Sequence, residues 1–585
     1  MEMLFESHQG RAPLSFRFSG LVEDIAAHSR EEVLPALLRI EAAVSKGMYA
    51  AGFLCYEAAA GVDPDLTTKH PGSLPLLRFG IFRERLVMHP PAAEEEENFR
   101  SMDWNSSLSA ADFRNGVSAI REYIAAGHCY QVNYTMRLRF GFSGDPFSFY
   151  RSLCASQRTR YSAYLHMDRH DILSVSPELF FRLDKGVLTV RPMKGTAARG
   201  RWMTEDELIA RRLRESTKEQ AENLMIVDLL RNDLGRISRN GTVSVVSLFD
   251  VETFETVHQM TSTVTSLLTP GTRFTELLRA LFPCGSVTGA PKKRSMEIIA
   301  ELEDSPRGIY TGCIGYVTPG MEHAVFNVAI RTVVIDRESG TAELGVGSGI
   351  TWDSAADAEF EECLAKGMFA RSVPRSFSLL ESMLFEEEKG FFLLERHLER
   401  LSESARYFGF DLNISSIRDA LTRYAARLTG KRKVRVSLSR RGEFRIEAEE
   451  IPDAVASAPP MIAIAESRVD SSEPFLYHKT TCREVYDREK ALRPDCLDVV
   501  FLNERDEITE AAHNNIVIRK GCELVTPPLE SGLLPGTFRG HLLATGEIRE
   551  GRLTIDDLMH AEDVYLINSV RKWRRVYLDT RGMPS

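Results

Sequence analysis

One break in the sequence pattern constrains the fold more than any other feature. A helical pattern over residues 362–370 ends, Pro374 interrupts the chain, and a strand pattern begins near Phe377. A chain of 585 residues is too long for a single hydrophobic core, so at least one domain boundary is expected. We therefore predict two domains, residues 1–372 and residues 373–585, joined by a linker of only a few residues.

Both predicted domains alternate short β-rich runs with amphipathic helical patterns, which indicates an α/β or α+β fold class. An apolar fraction of 43% and a charged fraction of 27% are typical of a globular protein. The formal net charge of -10 argues against nucleic acid and anionic membrane surfaces as partners. No apolar run reaches the roughly 20 residues that cross a bilayer, and the nine cysteines lack zinc-site spacing. We expect a cytoplasmic protein with neither a nucleic-acid nor a membrane partner.

A lysine follows a predicted strand in the stretch LTVRPMKGTAARG. Residues 188–191 alternate like a strand, and Pro192 and Gly195 then predict a loop. Lys194 would lie at the mouth of that strand, where its amine could face a pocket. Composition alone favours a solvated loop lysine.

Several carboxylates of the first half fall in patterns that suit a metal. Glu359 and Glu362 share one helical face, whereas Glu361 points elsewhere, and Glu222 interrupts an otherwise apolar helical stretch. Paired carboxylates usually decorate a surface, but three facing inward would form an oxygen-rich site for Mg²⁺. Glu178 begins a further strand after a proline.

A glycine-rich loop precedes a helical pattern in PCGSVTGAPKKRSMEII. Backbone amides at such a helix start suit an anionic group. The residues concerned are Gly285, Ser286, Thr288 and Gly289.

A series of motifs in fixed order resembles the chorismate-utilising enzymes: anthranilate synthase component I, aminodeoxychorismate synthase component I and the isochorismate synthases. The motifs include YQVNYTMRLRF, SPELF, RPMKGTAARG, AENLMIVDLLRNDLGR, PCGSVTGAPKKRSMEII and GVGSGITWDSAADAEFEECLAK, and the resemblance covers residues 110–370. It implies an α/β sandwich of two stacked antiparallel sheets around a buried chorismate site. It also implies Mg²⁺ between enzyme carboxylates and the ring carboxylate.

The resemblance assigns roles to individual residues. Glu222 and Glu362 resemble the Mg²⁺ ligands, with Glu359 close by. Tyr310 and Arg331 resemble the pair that holds the enolpyruvyl carboxylate. His258 resembles the histidine beside the departing hydroxyl, and backbone amides complete a carboxylate cradle formed by Gly285, Ser286, Thr288, Gly289, Gly347 and Gly349.

Lys194 distinguishes two activities within that family. The aminodeoxychorismate synthases carry lysine at this motif position, where anthranilate synthases carry alanine. The resemblance implies that Lys194 attacks ring C2, that Glu178 protonates the departing C4 hydroxyl, and that ammonia then enters at C4. A nucleophilic lysine needs burial or nearby cations such as Arg191 to lower its pKa. Anthranilate synthesis is the alternative.

The chain lacks the Gly-x-Cys-x-Gly nucleophile turn of a glutaminase. We therefore expect ammonia from a separate glutamine amidotransferase subunit, or from free ammonium.

The second half contains the residue types that pyridoxal phosphate requires. Lys479 lies where a strand pattern gives way to a helix, Glu510 ends a strand, and Gly536 and Thr537 open a helix. A lysine, an acid for the pyridine nitrogen and amides for a phosphate are the groups that this cofactor needs. Read singly, these residues are a surface lysine, a strand-end acid and a helix cap.

Residues 377–576 resemble the fold-type IV pyridoxal-phosphate enzymes, which include branched-chain and D-amino-acid aminotransferases and aminodeoxychorismate lyase. By that resemblance Lys479 binds the cofactor and transfers protons, and Glu510 contacts the pyridine nitrogen. The phosphate contacts are Arg400, Thr537 and Ser569, and Ser382 is a candidate proton donor.

Together the two resemblances imply two consecutive steps from chorismate to p-aminobenzoate, a folate precursor. The second half could instead be an aminotransferase, or a degenerate module that docks the glutaminase. Fold-type IV enzymes are usually dimers, so a homodimer through the second domain is expected.

Overall fold

A computed structural model describes residues 1–8, 14–88, 98–371, 375–451 and 460–579. They form two compact units: Met1–Ala198 with Ala210–Pro374, and Arg199–Ile209 with Arg375–Ser585. The predicted junction at residue 373, with Pro374, lies outside the described residues. No sequence pattern signals that Arg199–Ile209 belongs with the second unit.

The strands of the first unit all pair antiparallel in the part of the chain that the structure describes. They are β1 Glu2–Ser7, β2 Leu14–Ala27, β3 Tyr49–Leu54, β4 Leu77–Met88, β5 Phe99–Ser106, β6 Gln131–Gly144, β7 Tyr161–His166, β8 His170–Ser176, β9 Leu179–Asp184, β10 Val187–Arg191, β11 Met193–Ala198, β12 Ser244–Thr253, β13 Val257–Leu267, β14 Gly289–Ala290, β15 Cys313–Val317, β16 His323–Val328, β17 Thr332–Asp336 and β18 Thr341–Ile350.

Helices cover both groups of strands in this unit. They are α1 Arg30–Ser45, α2 Ala59–Val62, α3 Ala110–Ala125, α4 Pro146–Gln157, α5 Met203–Glu215, α6 Thr217–Gly235, α7 Phe274–Leu281, α8 Lys292–Leu302 and α9 Ala356–Gly367, of which α5 begins in the segment assigned to the second unit.

Two groups of strands build the first unit, and β1 joins them by pairing with both β2 and β7. One core cluster lies under α1, α6 and α7, and a second lies under α3, α4, α8 and α9. A third cluster draws Phe5, Phe16 and Leu165 from both groups. The ladders are thus continuous through β1, and the arrangement agrees with the expected two-sheet sandwich.

Local capping sets the helices that later matter for the site. The stretch WNSSLSAADF predicts a helix N-cap near Ser109, and Ser109 does cap α3 through its side chain. The stretch that follows Met203 predicts a helix with a break near Ser216, which is confirmed because Ser216 separates α5 from α6 and caps α6. The same pattern predicts a cap at Thr204, which is wrong because α5 already begins at Met203.

The second unit contains a small antiparallel sheet and a larger mixed sheet in its described residues. Its strands are β19 Leu379–Glu386, β20 Gly390–Phe391, β21 Lys431–Leu438, β22 Phe444–Glu450, β23 Met461–Ile464, β24 Asp498–Leu502, β25 Ile508–Ala511, β26 Asn515–Lys520, β27 Glu523–Thr526, β28 Arg549–Glu550, β29 Asp563–Asn568 and β30 Lys572–Leu578, and its helices are α10 Leu394–Phe408, α11 Ile414–Ala425, α12 Glu484–Leu492, α13 Thr537–Ala544 and α14 Ile555–Met559.

None of the helices in the described ranges is long and apolar enough to cross a membrane. The two fold classes expected from the sequence, both mixing helices and sheets, are confirmed.

Candidate active sites

Lys194 lies within a strand rather than in the predicted loop. Strand β11 pairs with β13, and the register shifts between Met193 and Thr196. Gly195 supplies the left-handed backbone (φ +98°) at this irregularity. Pro192 lacks an N–H and separates β10 from β11, but the chain continues along the same partner strand.

The Lys194 amine is largely buried, with 14% of its side chain exposed. Burial lowers its pKa, and Lys366 lowers it further, while Glu222, Glu362 and Glu359 raise it. Its Nζ lies 3.8 Å from the Glu222 carboxylate. The sequence-based suggestion that Arg191 supplies the neighbouring cation does not hold, because Arg191 pairs with Glu252.

Glu178 is a buried acid close to this amine. Ser286 donates a 2.6 Å hydrogen bond to its carboxylate, and the Met193 amide donates another of 3.4 Å. Burial raises the pKa of Glu178 to about 7, and the positive charge of Lys194 opposes that rise. An acid with this pKa can hold a proton at neutral pH and deliver it, as a general acid must. Ser286 is thereby placed beside the acid.

Four carboxylates surround the Lys194 amine. Glu222 of α6 and Glu359 and Glu362 of α9 act on its charge, and the structure adds Glu219, one turn before Glu222. Burial raises the pKa of Glu219, and Glu222 raises it further. The signal for Glu219 was present in the sequence, because residues three apart share a helix face.

This donor set suits a hard divalent cation. Lys366 pairs with Glu362 at 2.6 Å, and the Ser348 hydroxyl donates to Glu359. Within the described residues, the carboxylates of Glu222, Glu359 and Glu362 do not all lie within 4.8 Å of one another. Mg²⁺ commonly binds through one or two carboxylates and keeps several waters, so carboxylates at this wider spacing still suit it.

A buried cradle lies beside the amine. A Cβ atom at Gly349 would lie 2.2 Å from Lys194 Nζ and 2.1 Å from Gln131 Nε2, so both side chains reach this glycine. Gln131 is 1% exposed, and its amide nitrogen and oxygen have no hydrogen-bond partner among the described residues. Buried unpaired amides are rare and costly, so a polar group of a ligand is the expected partner. No local pattern predicts Gln131, because a polar residue at a strand start is common.

The other cradle residues differ in how they are used. Thr288 turns its hydroxyl to the Cys284 and Gly285 carbonyls, and its own carbonyl accepts from Asn133. Gly289 has φ +141°, and a Cβ there would clash with the Gln131 carbonyl at 2.2 Å. The Gly347 carbonyl accepts from Lys366 at 3.0 Å. Residues 285–289 therefore form a buried loop rather than an exposed helix start.

Arg331 is a cation without a carboxylate partner among the described residues. Its guanidinium donates to the Gln157 amide, and burial lowers its pKa to about 10. Its backbone is left-handed (φ +48°), a conformation that non-glycine residues seldom adopt outside functional sites. Such a group is suited to receive a carboxylate.

Tyr310 and His258 are also buried. Burial raises the pKa of Tyr310 above its ordinary value, and its ring packs against Gly345 and under Arg137. His258 lies opposite Ala197 in the β11–β13 ladder, and its Nδ1 lies 3.1 Å from the Thr253 hydroxyl. The ladder thus carries His258 close to the Lys194 strand.

In the second unit, Lys479 and Glu510 form a separate candidate site. Burial and then Arg400 lower the pKa of Lys479 to about 8. Burial raises the pKa of Glu510 to about 7, although Tyr486, Asn515 and the Leu534 amide all donate to it at 3.1 Å. Each group acts on the charge of the other.

The predicted phosphate contacts lie around the start of α13. Arg400 donates to the Pro535 carbonyl at 3.0 Å, and Gly536 and Thr537 begin the helix. A Cβ at Gly536 would lie 2.0 Å from Asn515 Oδ1, so Asn515 packs directly against this glycine. Ser569 instead donates to the Ser382 carbonyl at 3.2 Å. A lowered-pKa lysine, a buried acid and a helix start beside an arginine fit pyridoxal phosphate.

Comparison with known proteins agrees with this geometry. Residues 4–372 match the family model described as chorismate binding enzyme, and residues 378–577 match the model described as amino-transferase class IV. The first match covers more than half of the chain, so the chain belongs to the family of chorismate binding enzymes. The class IV match agrees with the resemblance of the second half to fold-type IV enzymes.

Several curated proteins are similar to part of the chain. Aminodeoxychorismate synthase component 1 from Escherichia coli (strain K12) is 40% identical over 272 residues, 46% of this chain and 59% of that protein. Anthranilate synthase component 1 from Aquifex aeolicus is 37% identical over 302 residues, 51% of this chain and 59% of that protein. The chain thus spans less than two thirds of the length of these relatives.

Solved structures share the fold of the first unit. Anthranilate synthase component I from Streptococcus pneumoniae TIGR4 has 26% identity and a TM-score of 0.55, over 63% of this chain and 93% of that one. The menaquinone-specific isochorismate synthase from Escherichia coli has 16% identity and a TM-score of 0.51, over 64% of this chain and 88% of that one, and shows the fold alone.

Proposed function

We propose that this chain makes p-aminobenzoate in two steps. Residues 1–372 would convert chorismate and ammonia into 4-amino-4-deoxychorismate and water, and residues 373–585 would split that product into p-aminobenzoate and pyruvate. The observation that carries the proposal is the buried Lys194 amine, which reaches Gly349 close to the buried acid Glu178. The curated aminodeoxychorismate synthases among the relatives support the first step.

In the first step Lys194 Nζ would bond to ring C2 while the C4 oxygen leaves. Glu178 donates its proton to that oxygen, so the hydroxyl departs as water. Ammonia then bonds to C4 and the bond between C2 and Nζ breaks, which releases the neutral lysine amine. The ammonium group formed at C4 returns one proton to Glu178. Arg331 would hold a carboxylate of the substrate, and Tyr310 and His258 would line the site. Mg²⁺, held by Glu222 and Glu362 with Glu219 and Glu359 around it, would supply positive charge for the ring carboxylate.

In the second step Lys479 would carry a proton away from the substrate α-carbon. Its lowered pKa, about 8, leaves a usable fraction of neutral amine at neutral pH. Glu510 would hold the pyridine nitrogen, and Arg400, Thr537 and Ser569 would contact the phosphate. Pyridoxal phosphate supplies electron withdrawal from the α-carbon when bound. Ser382 remains the candidate for returning a proton to the pyruvate carbon.

We also propose that ammonia comes from a separate glutamine amidotransferase subunit. The relatives named component 1 support this, because that name implies a second component. A homodimer through the second unit is a further proposal, and light scattering on the purified chain would test it.

One product assay tests the function. The purified chain is supplied with chorismate, Mg²⁺, ammonium and pyridoxal phosphate, and the products are resolved by mass. We expect p-aminobenzoate and pyruvate in equal amounts. Anthranilate as the sole aromatic product would reject the proposed first step. Accumulation of aminodeoxychorismate, together with turnover of an amino donor and a 2-oxoacid, would reject the second and indicate an aminotransferase.

A further inference from the structure

Glu381 and His397 form a buried ionic network with Arg400 in the second unit, and neither Glu381 nor His397 has a role in the two steps described above. Glu381 of β19 accepts two hydrogen bonds from Arg400, of 2.9 Å from Nε and 2.7 Å from Nη2. His397 Nδ1 lies 2.6 Å from the same carboxylate. Glu381 and His397 are at most 1% exposed and Arg400 is 8% exposed. A buried charge with this many partners fixes the geometry of each partner.

The arginine is held in one orientation by three of its five N–H bonds. Nε and Nη2 each donate to Glu381, and Nη1 donates to the Pro535 carbonyl, two residues before α13. Among the described residues, one N–H on Nη1 and one on Nη2 have no protein acceptor. These two N–H groups can donate to phosphate oxygens.

His397 also connects Glu381 to the start of α13. Because a carboxylate only accepts hydrogen bonds, His397 Nδ1 must carry the proton and donate it in the hydrogen bond to Glu381. Burial lowers the pKa of His397, so Nε2 is unprotonated and accepts from the Thr537 hydroxyl at 3.2 Å. This contact fixes the Thr537 side chain at the start of α13, where the first backbone amides of a helix have no acceptor within the helix.

We propose that Glu381 is a positioning residue for the phosphate end of pyridoxal phosphate. Its carboxylate orients the Arg400 guanidinium and, through His397 and Thr537, the first turn of α13. This inference rests on the proposed function of the second unit. Glu381 would have no contact with the pyridine ring, because Lys479 and Glu510 are the residues proposed to bind that part of the cofactor.

The test compares two ligands that differ only in the phosphate. Dissociation constants of pyridoxal phosphate and of pyridoxal are measured by absorbance on the full chain freed of cofactor. In Glu381→Gln the constant for pyridoxal phosphate should rise at least about tenfold, as for other lost charge-assisted contacts, while that for pyridoxal changes less than about twofold. The ³¹P chemical shift of the bound phosphate should also move.

Glu386→Gln is the matched control. It makes the same change on the same strand, at a carboxylate that pairs with Lys431 at 3.5 Å. It should leave both dissociation constants unchanged. Equal weakening of both ligands in Glu381→Gln would indicate a merely structural role and overturn the proposal, and so would no weakening of either.

A second pair of variants covers the case in which Glu381→Gln does not fold. His397→Phe keeps the volume but loses both ring nitrogens, and it should weaken pyridoxal phosphate about threefold more than pyridoxal. His397→Asn keeps a donor near the position of Nδ1 and should restore part of the difference. Equal effects on both ligands would reject the inference.

The failure of the proposed function is separable from this result. If the cofactor absorbance of the wild-type chain is still present in the Lys479→Ala variant, the proposed cofactor site is rejected, and with it the role of Glu381. If that absorbance is lost in Lys479→Ala, but Glu381→Gln still binds pyridoxal phosphate more tightly than pyridoxal to the wild-type extent, only the role of Glu381 is rejected.

Discussion

The two candidate catalytic lysines lie in separate units and differ in the charges around them. Both amines have a lowered pKa, and burial is the main cause in each. Three carboxylates and one lysine act on the charge of Lys194, whereas two arginines, Arg400 and Arg483, and two glutamates act on that of Lys479. Carboxylates therefore outnumber cations around Lys194 and stabilise its ammonium form, whereas the arginines around Lys479 offset the two glutamates.

This difference implies that only the first site needs a cation to free its amine. A divalent ion bound by Glu222 and its neighbours would neutralise the groups that hold the Lys194 proton. Lys479 already has a pKa of about 8 without such an ion. The two sites should therefore respond separately to lysine removal, to chelation and to pH.

Reciprocal lysine variants should show the largest effects. Lys194→Ala should lower aminodeoxychorismate formation at least about a thousandfold, because a nucleophile is lost. Supplied aminodeoxychorismate should still give p-aminobenzoate at the normal rate. Lys479→Ala should do the reverse, so that the intermediate accumulates from chorismate. Mass analysis of each product checks both halves.

Exposed lysines provide the controls for this pair. Lys185 lies in the turn between β9 and β10, and Lys520 ends β26, and both are exposed. Their replacement by alanine should change neither rate. Normal amination of C4 by Lys194→Ala would remove the lysine from the mechanism.

Chelation should affect one site only. Removing Mg²⁺ with excess EDTA should lower the chorismate step at least about a hundredfold, because several kcal/mol of charge stabilisation are lost. Conversion of supplied aminodeoxychorismate should be unchanged, since the described residues around Lys479 supply arginine cations instead. Rates measured on the same sample before and after chelation, and after Mg²⁺ is restored, check this. Equal loss in both steps would contradict the comparison.

The pH profile of the first step should report Glu178. An acid must be protonated to act, and its pKa is raised to about 7, so the chorismate step should slow as pH rises above about 7. Glu178→Gln should lower the rate about a hundredfold to a thousandfold and abolish that limb of the profile. The supplied-intermediate reaction of the same variant serves as the control. If the rate of Glu178→Gln still falls as pH rises above about 7, the decrease is caused by another group.

Local patterns predicted the features whose causes are local. The cap at Ser109, the helix break at Ser216 and the paired carboxylates of α9 all depend on a few neighbouring residues. Lys194 was misplaced in a loop because Pro192 and Gly195 usually end a strand. The long-range ladder to β13 decides otherwise, and local propensity contains no information about it.

The surroundings of each site were the least predictable part. Lys366 rather than Arg191 provides the cation near Lys194, because the turn of α9 that contains Lys366 packs close to the amine. Glu381 carries no motif that marks it as buried, and its role depends on Arg400 and His397 from another element. Such contacts arise from tertiary packing, which the spacing of residues along the chain does not encode.

Gln131 offers the smallest but sharpest test of the first site. Its amide is buried and unpaired among the described residues, so in Gln131→Leu no hydrogen bond is lost and the desolvation cost of the amide is removed. We expect an unchanged or higher melting temperature together with a decrease of about tenfold in kcat/KM for chorismate. The step at Lys479 should be unaffected.

The opposite signs of these two effects give the test its value. A residue that only fills the core of β6 would lose stability and activity together, because Leu differs from Gln in shape. If the Gln131 amide instead binds a polar ligand atom beside Lys194, the variant should lose activity but not stability. Calorimetry and steady-state kinetics on one preparation separate the two, and a destabilised variant with normal kcat/KM would place Gln131 outside the site.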